Sequence, residues 1–282
     1  MEQMKKNLSS LPLSQLLILS SIFLGLVVLL SYTLPTAPDW HNHFRPATQA
    51  LIQGKNPFDN KLYLNAPWTL IPMIPLLLVS EQVGRAILAI MALASLAFVG
   101  YRLGAKPLAI IFILLSPPVF QLMLDGNIDW LMALGFVLPP HIGLIFLAIK
   151  PQTGFVVALL WFYQAWKKNG WREVVRISTP VTILFLISFL LYGLWPLNFS
   201  IVNEWKGNAS LWPSSIPVGL ALLATALRRE KIEYAMAASP CLSPYVLLHS
   251  WIGPLLAISA STIETICAVI GLWILVLIRA PV

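Results

Sequence analysis

From Leu11 to Tyr32 the sequence runs without one charged side chain, and further apolar runs recur to its end: Val83–Tyr101, Leu108–Leu124, Ile128–Leu138, Ile142–Ile149, Thr153–Trp166, Val174–Trp195, Ile216–Leu227, Tyr234–Leu248 and Pro254–Ile278. Roughly 20 apolar residues span a bilayer, so a chain built of such runs is expected to fold in lipid. With 58% apolar and only 10% charged residues, there is too little polar surface to cover a water-soluble body of this size. The expected fold class is an all-α integral membrane protein, a polytopic bundle of about eight to ten transmembrane helices. Residues 1–282 then form a single membrane domain, and any chemistry lies at membrane level.

The net charge of +7 does not mark a nucleic-acid partner. Lys and Arg come as short clusters between apolar runs, at Lys5/Lys6, Arg102/Lys106, Lys167/Lys168/Arg172/Arg176, Arg228/Arg229/Lys231 and Arg279, and form no stripe. They read as topology signals that hold those loops, and the N-terminus, in the cytoplasm. The first apolar run is too long for a signal-peptide core and lacks a small-residue cleavage site, so it reads as an anchor. Cys241 and Cys267 both lie in apolar sequence without metal-ligand spacing, so they indicate neither a disulfide framework nor a cysteine zinc site.

Alternation then assigns to the outer side the loop Thr33–Gln82, the turn Asp125–Asp129, Lys150, the loop Pro196–Ser215 and the region of His249. Within the first loop, Trp68–Val79 carries Pro67, Pro72 and Pro75 in or beside it, and reads either as a surface or partly inserted helix or as a full crossing. Between Asn127 and Lys150 stand two apolar runs of about ten residues, joined at Pro139–Pro140 and each too short to cross. They predict a hairpin of half-length helices lining an interior, because broken backbone at membrane depth needs protein or water beside it.

The polar residues of these outer segments carry the candidate chemistry. Asp39 precedes a stretch with Phe44, Ala47 and Leu51 at helical spacing, an amphipathic interfacial helix that Gly54 and Asn56–Pro57 end as a turn. Asp39 is either solvated loop or a general base on an acceptor hydroxyl. Asp125 and Asp129 bracket Gly126–Asn127 at a helix junction, where carboxylates need a partner or water. Lys150 stands between apolar neighbours, either snorkelling or facing an anion such as a phosphate-bearing lipid, with Arg45 or Arg85 as helpers. His249 closes an apolar helix and is either structural or a donor to a phosphate. Asp39, His41 and His43 permit a divalent ion without requiring one, and no cofactor is called for. The tryptophans, Trp40, Trp68, Trp195, Trp205 and Trp212 among them, read as interface markers.

Taken in order, these segments resemble glycosyltransferase family 87, which includes the mycobacterial polyprenol-dependent mannosyltransferases. The first outer loop is similar in its Asp39, short helix and Leu51-Ile-Gln-Gly-Lys-Asn-Pro-Phe58. Asn65-Ala-Pro-Trp and Ile74-Pro-Leu follow, then Ser116-Pro-Pro, Gly126-Asn-Ile-Asp129 with Asn and Asp where the family has Gln and Asn, Lys150-Pro-Gln, Asn208-Ala-Ser-Leu211, and Ser243-Pro-Tyr leading to His249. The resemblance implies a shortened member with a membrane fold of the GT-C type, in the inner (cytoplasmic) membrane. It would transfer a sugar from a polyprenyl-phosphate donor to an acceptor hydroxyl on the extracytoplasmic side. By that implication Asp39 is the catalytic base, and Lys150 and His249 contact the donor phosphate. Asp125, Asn127 and Asp129 line the pocket, and Asn208 and Ser210 belong to the substrate site. Two rival readings stay open: a non-catalytic subunit with membrane-protein partners, and a transporter of a lipid-linked anion, whose polar residues would sit near the bilayer midplane.

Overall fold

The computed structural model describes residues 12–197 and 207–279, and every regular element among them is helical. The expected Lys5/Lys6 cluster, Trp205 and the middle of the Pro196–Ser215 loop fall outside the described residues. The long helices are α1 (Leu13–Thr33), α3 (Glu81–Arg102) and α8 (Pro151–Tyr192), and these three are long and apolar enough to cross a membrane. Of α1 only Val27 is buried. Its apolar side chains otherwise face outward, a surface that water would disfavour on all sides.

Two interruptions in this framework have local causes. Between α4 (Pro107–Leu114) and α5 (Pro117–Asp125) the axis bends by 52°, giving a fourth candidate span. Pro117 lacks the N–H that would continue the helix and forces Ser116 into an extended conformation, with ψ at 151°. At the bend the carbonyl of Leu115 accepts a hydrogen bond from Trp273 Nε1 at 2.9 Å, supplied by α12 (Thr262–Arg279). The second interruption splits α8, where Asn169 and Gly170 leave helical geometry and Gly170 takes a φ of 56°. Phe155 and Ala158 before the break line the same cavity as Val181 and Phe185 after it. A straight helix would hold Phe155 and Phe185 about 45 Å apart. The chain therefore folds back at Asn169–Gly170, and α8 is two antiparallel limbs. The cationic cluster Lys167, Lys168, Arg172 and Arg176 sits at that corner, where Glu173 pairs with Arg176 at 2.7 Å and with Lys168 at 3.6 Å.

The half-length hairpin is present. It comprises α6 (Asp129–Leu134), one tighter turn at Gly135–Val137, and α7 (Pro140–Leu147). Its two arms meet at glycines: a Cβ on Gly143 would stand 2.7 Å from the Gly135 carbonyl oxygen and 2.5 Å from the ring of Trp161. Close packing of this kind sets the depth at which both ends of the hairpin emerge. On the other flank α9 (Ile216–Arg229), α10 (Ile232–Cys241) and α11 (Ile252–Ala257) follow in order, with α10 against α8, α9 and α11.

The first loop departs from the expectation of an interfacial helix. A π-helical turn, Asp39–Phe44, runs into α2 (Arg45–Ile52). α2 is amphipathic as expected, but Phe44 and Ala47 are buried in the protein core, against the tight helix Pro67–Leu78. That helix in turn buries Leu70 and Met73. Protein thus covers the apolar stripe that the sequence assigned to lipid, and the loop is a lid of packed structure. Trp68 Nε1 donates to the Ile145 carbonyl at 3.1 Å and Asn65 Nδ2 to that of Ile149 at 3.1 Å, tying the loop to the hairpin.

Candidate functional site

Asp39 owes its position to the residue beside it. Trp40 is fully buried and its indole N–H donates to the Glu81 carbonyl at 3.2 Å, at the start of α3. Opposite, α5 ends in Gly126 at a φ of 67°, and a Cβ there would lie 2.9 Å from the Cβ atoms of both Ala37 and Trp40. Only glycine allows this turn to close against residues 37–40, and the closure carries Asn127 to Asp39. Gly126→Ala is expected to cost about 1 kcal/mol for the left-handed backbone and a further 1–3 kcal/mol or so for overpacking. Gly54→Ala should show the first cost alone, because Gly54 shares the positive φ but faces open space. Thermal unfolding of the two variants in detergent tests this; equal losses would remove the close-approach account.

From Asp39 a chain of polar contacts runs inward. Asn127 Nδ2 donates to Asp39 Oδ2, and Asn127 Oδ1 accepts from Lys150 Nζ at 2.7 Å and from the Ile128 N–H at 2.6 Å. Lys150 Nζ pairs with Asp129 Oδ1 at 2.5 Å, and Asp129 Oδ2 lies 2.7 Å from His249 Nδ1. His43 Nδ1 flanks Asp39 Oδ1 at 3.4 Å. Asp129 and His249 are wholly buried, and Asn127 and Lys150 are 5% exposed. Charges so far from water persist only when paired and hydrogen-bonded, and this array meets that condition by joining four segments of the chain.

Burial alone would push the Asp129 carboxyl up. The Lys150 ammonium and His249 outweigh it and hold the group below the usual carboxylate range. For His43 burial prevails over the nearby Asp39 and lowers the imidazole from its ordinary value, so the ring is neutral at pH 7.

The array opens into a cavity of about 350 Å³ lined by Asp39, His43, Asn65, Asn127, Lys150, Gln152 and Tyr245, among others. A second cavity, of about 320 Å³, adjoins it across Ile149 and Pro151 and is lined by Leu144, Leu147, Phe155, Ala158, Val181, Phe185 and Trp195 with almost no polar surface. A chamber that gathers charged and polar side chains on otherwise apolar walls thus adjoins a purely apolar one.

Of the candidates read from the sequence, Asp39, Asn127 and Lys150 line the polar cavity, and Asp129 and His249 stand directly behind it. Asp125 lies beside Asp39 and His249 and accepts from Gln121 Nε2 at 2.8 Å. Arg45 is elsewhere. Its guanidinium donates to the Leu76 and Val79 carbonyls and lies over the Trp40 ring at 5.7 Å, in a separate depression. Arg85 donates to the Ser31 and Pro35 carbonyls. Both arginines fasten backbone and neither faces the chamber. His41 bonds Glu81 at 2.7 Å, so the set Asp39, His41 and His43 does not converge. Asn208 and Ser210 also stand outside the lining. Asn208 donates to the Pro244 carbonyl at 3.0 Å and Ser210 to that of Ser243 at 2.6 Å, fixing the loop whose Ser243, Pro244, Tyr245 and Leu247 form one wall.

Three lining residues lay inside motifs noted in the sequence without being singled out: Asn65, Gln152 beside Lys150-Pro, and Tyr245 in Ser243-Pro-Tyr. Tyr245 is the most informative. Its hydroxyl is buried without a hydrogen-bond partner, and burial, with Asp39 and Asp129 nearby, pushes its pKa up to about 12. It keeps its proton and can donate to an anionic oxygen. The chemistry available is therefore a carboxylate at the mouth, a buried ammonium and a phenol, beside a long apolar recess. No protein-family model, curated protein or solved structure matches the chain.

Proposed function

We propose that this protein is a membrane-embedded glycosyltransferase that moves a sugar from a polyprenyl-phosphate donor to an acceptor hydroxyl on the extracytoplasmic side. The observation that carries the reading is that the chamber with the charged and polar side chains adjoins a purely apolar one. A lipid-linked phosphosugar has two such ends, a charged, hydroxyl-rich head and a long hydrocarbon tail, and Ile149–Pro151 lies where they would join. Lys150 and the Tyr245 hydroxyl are the groups suited to the phosphate oxygens. Asp39 is the group suited to take the acceptor proton as the new glycosidic bond forms and the phosphate leaves. The helices that can cross a membrane suit a donor that never leaves the bilayer.

The test is consumption of donor. The full-length protein in lipid nanodiscs, given a polyprenyl-phosphate hexose and candidate acceptors, is expected to release polyprenyl phosphate. Ala158→Phe, which fills the apolar recess, should raise KM for a long-chain donor by about tenfold, the order expected for losing one or two buried methylene contacts, while a short-chain donor is unaffected. Equal kinetics for both donors in both proteins would mean that the recess holds no tail.

A further inference from the structure

The chamber holds too much negative charge for the anion assigned to it. Asp39, Asp125 and Asp129 contribute three carboxylates, and Lys150, already paired with Asp129 at 2.5 Å, is the one ammonium among them. Arg45 and Arg85 are engaged with backbone carbonyls outside the chamber. Asp39 and Asp125 stand close together in the chamber, where a phosphate is to bind. Like charges gathered in a partly buried site repel unless a cation or a proton lies between them.

The arrangement around His249 indicates which. An ionised Asp129 offers only acceptor oxygens, so the contact at 2.7 Å fixes the imidazole proton on Nδ1. Nε2 is left without a partner, and it is buried with no hydrogen bond on a residue that is 0% exposed. One ligand atom from each of Asp39, Asp125 and His249 lies within 4.8 Å of the others. A carboxylate behind an imidazole whose other nitrogen is free is the usual support of a metal-ligating histidine, because it sets the tautomer and aims the ring.

We propose that Asp39, Asp125 and His249 form a divalent-cation site, with Asp129 as the positioning residue for His249. Two hard oxygen donors and one imidazole suit Mn²⁺ or Zn²⁺. A bound dication would relieve the crowding of Asp39 and Asp125 and give a phosphate oxygen a cationic partner next to Lys150. The charge argument rests on the phosphate-donor reading above; the ligand arrangement stands without it.

Mn²⁺ is the probe. Full-length protein in nanodiscs, stripped with EDTA and titrated with MnCl₂, should bind one high-affinity Mn²⁺ whose electron spin echo carries nitrogen modulation from an imidazole. This wild-type signal needs no variant. His249→Gln should lose the modulation, and Asp125→Asn, nearly identical in shape, should weaken binding by at least ~10-fold, with helical circular dichroism unchanged. His41→Ala should bind as the wild type does. Absence of a stoichiometric Mn²⁺, or nitrogen modulation that survives in His249→Gln, overturns the site; a protonated His249 in place of the cation would give the first result. Undiminished donor consumption in EDTA overturns the cation site and leaves the transferase reading intact. Nitrogen-coupled Mn²⁺ in a protein that consumes no donor supports the site and counts against the transferase.

Discussion

Asp39→Asn is expected to lower sugar transfer by 10²–10⁴-fold, the range for losing a positioned general base, with little effect on stability. The substitution keeps the side chain's shape and an oxygen to accept from Asn127, whose amide now meets Asp39 Oδ2. It removes the basicity and the charge. The loss should therefore appear in kcat, and donor KM should rise with it only where Asp39 also holds a cation against the donor phosphate, because the recess and Lys150 are untouched. Single-turnover transfer in nanodiscs measures this directly. Wild-type rates in Asp39→Asn would remove the base assignment and leave the chamber as a binding site only.

A second substitution is expected to act on the fold itself. In Asp129→Asn the buried Lys150 ammonium loses its counter-charge, and a stranded buried ion costs on the order of 3–5 kcal/mol. The double variant Asp129→Asn/Lys150→Met, which removes both charges together, should recover much of that loss, and urea or thermal unfolding in detergent would show it. The acid limb of stability follows from the same pair. Because Lys150 and His249 hold the Asp129 carboxyl below its usual range, its contribution is present above the unfolded-state value of about 4. It is lost progressively as pH falls through the folded-state value. Asp129→Asn should flatten that limb. A single variant as stable as the wild type at pH 7 would show that Lys150 finds water or another partner.

What could be read from the sequence was what depends on solvent and periodicity. Apolar runs gave helices, the proline pair at Pro139–Pro140 gave the hairpin, and polar residues stranded in apolar sequence pointed to Asp129, Lys150 and His249, because a lone charge there must find a partner. Arg45 shows where that logic fails. An arginine near a candidate base looks the same whether it faces substrate or two backbone carbonyls, and only the packing of Leu76 and Val79 decides between them. Asn208 and Ser210 fail for a related reason: short polar side chains in loops satisfy backbone as readily as ligands. The fold-back within α8 at Asn169–Gly170 was legible too, as two apolar runs, Thr153–Trp166 and Val174–Trp195, separated by a cationic cluster. The second cavity had no single-residue signal, since its walls come from both limbs of α8, the hairpin and Trp195.

The polar array has an order of completion as well as a shape. During synthesis Asp39, Asn127, Asp129 and Lys150 all precede His249, so an emerging chain can close the ammonium–carboxylate pair long before the imidazole arrives. A chain halted ahead of His249 would carry Asp39, Asn127 and Lys150 but leave Asp129 half-satisfied. Completion of this chamber thus waits on a segment made well after the rest of the array.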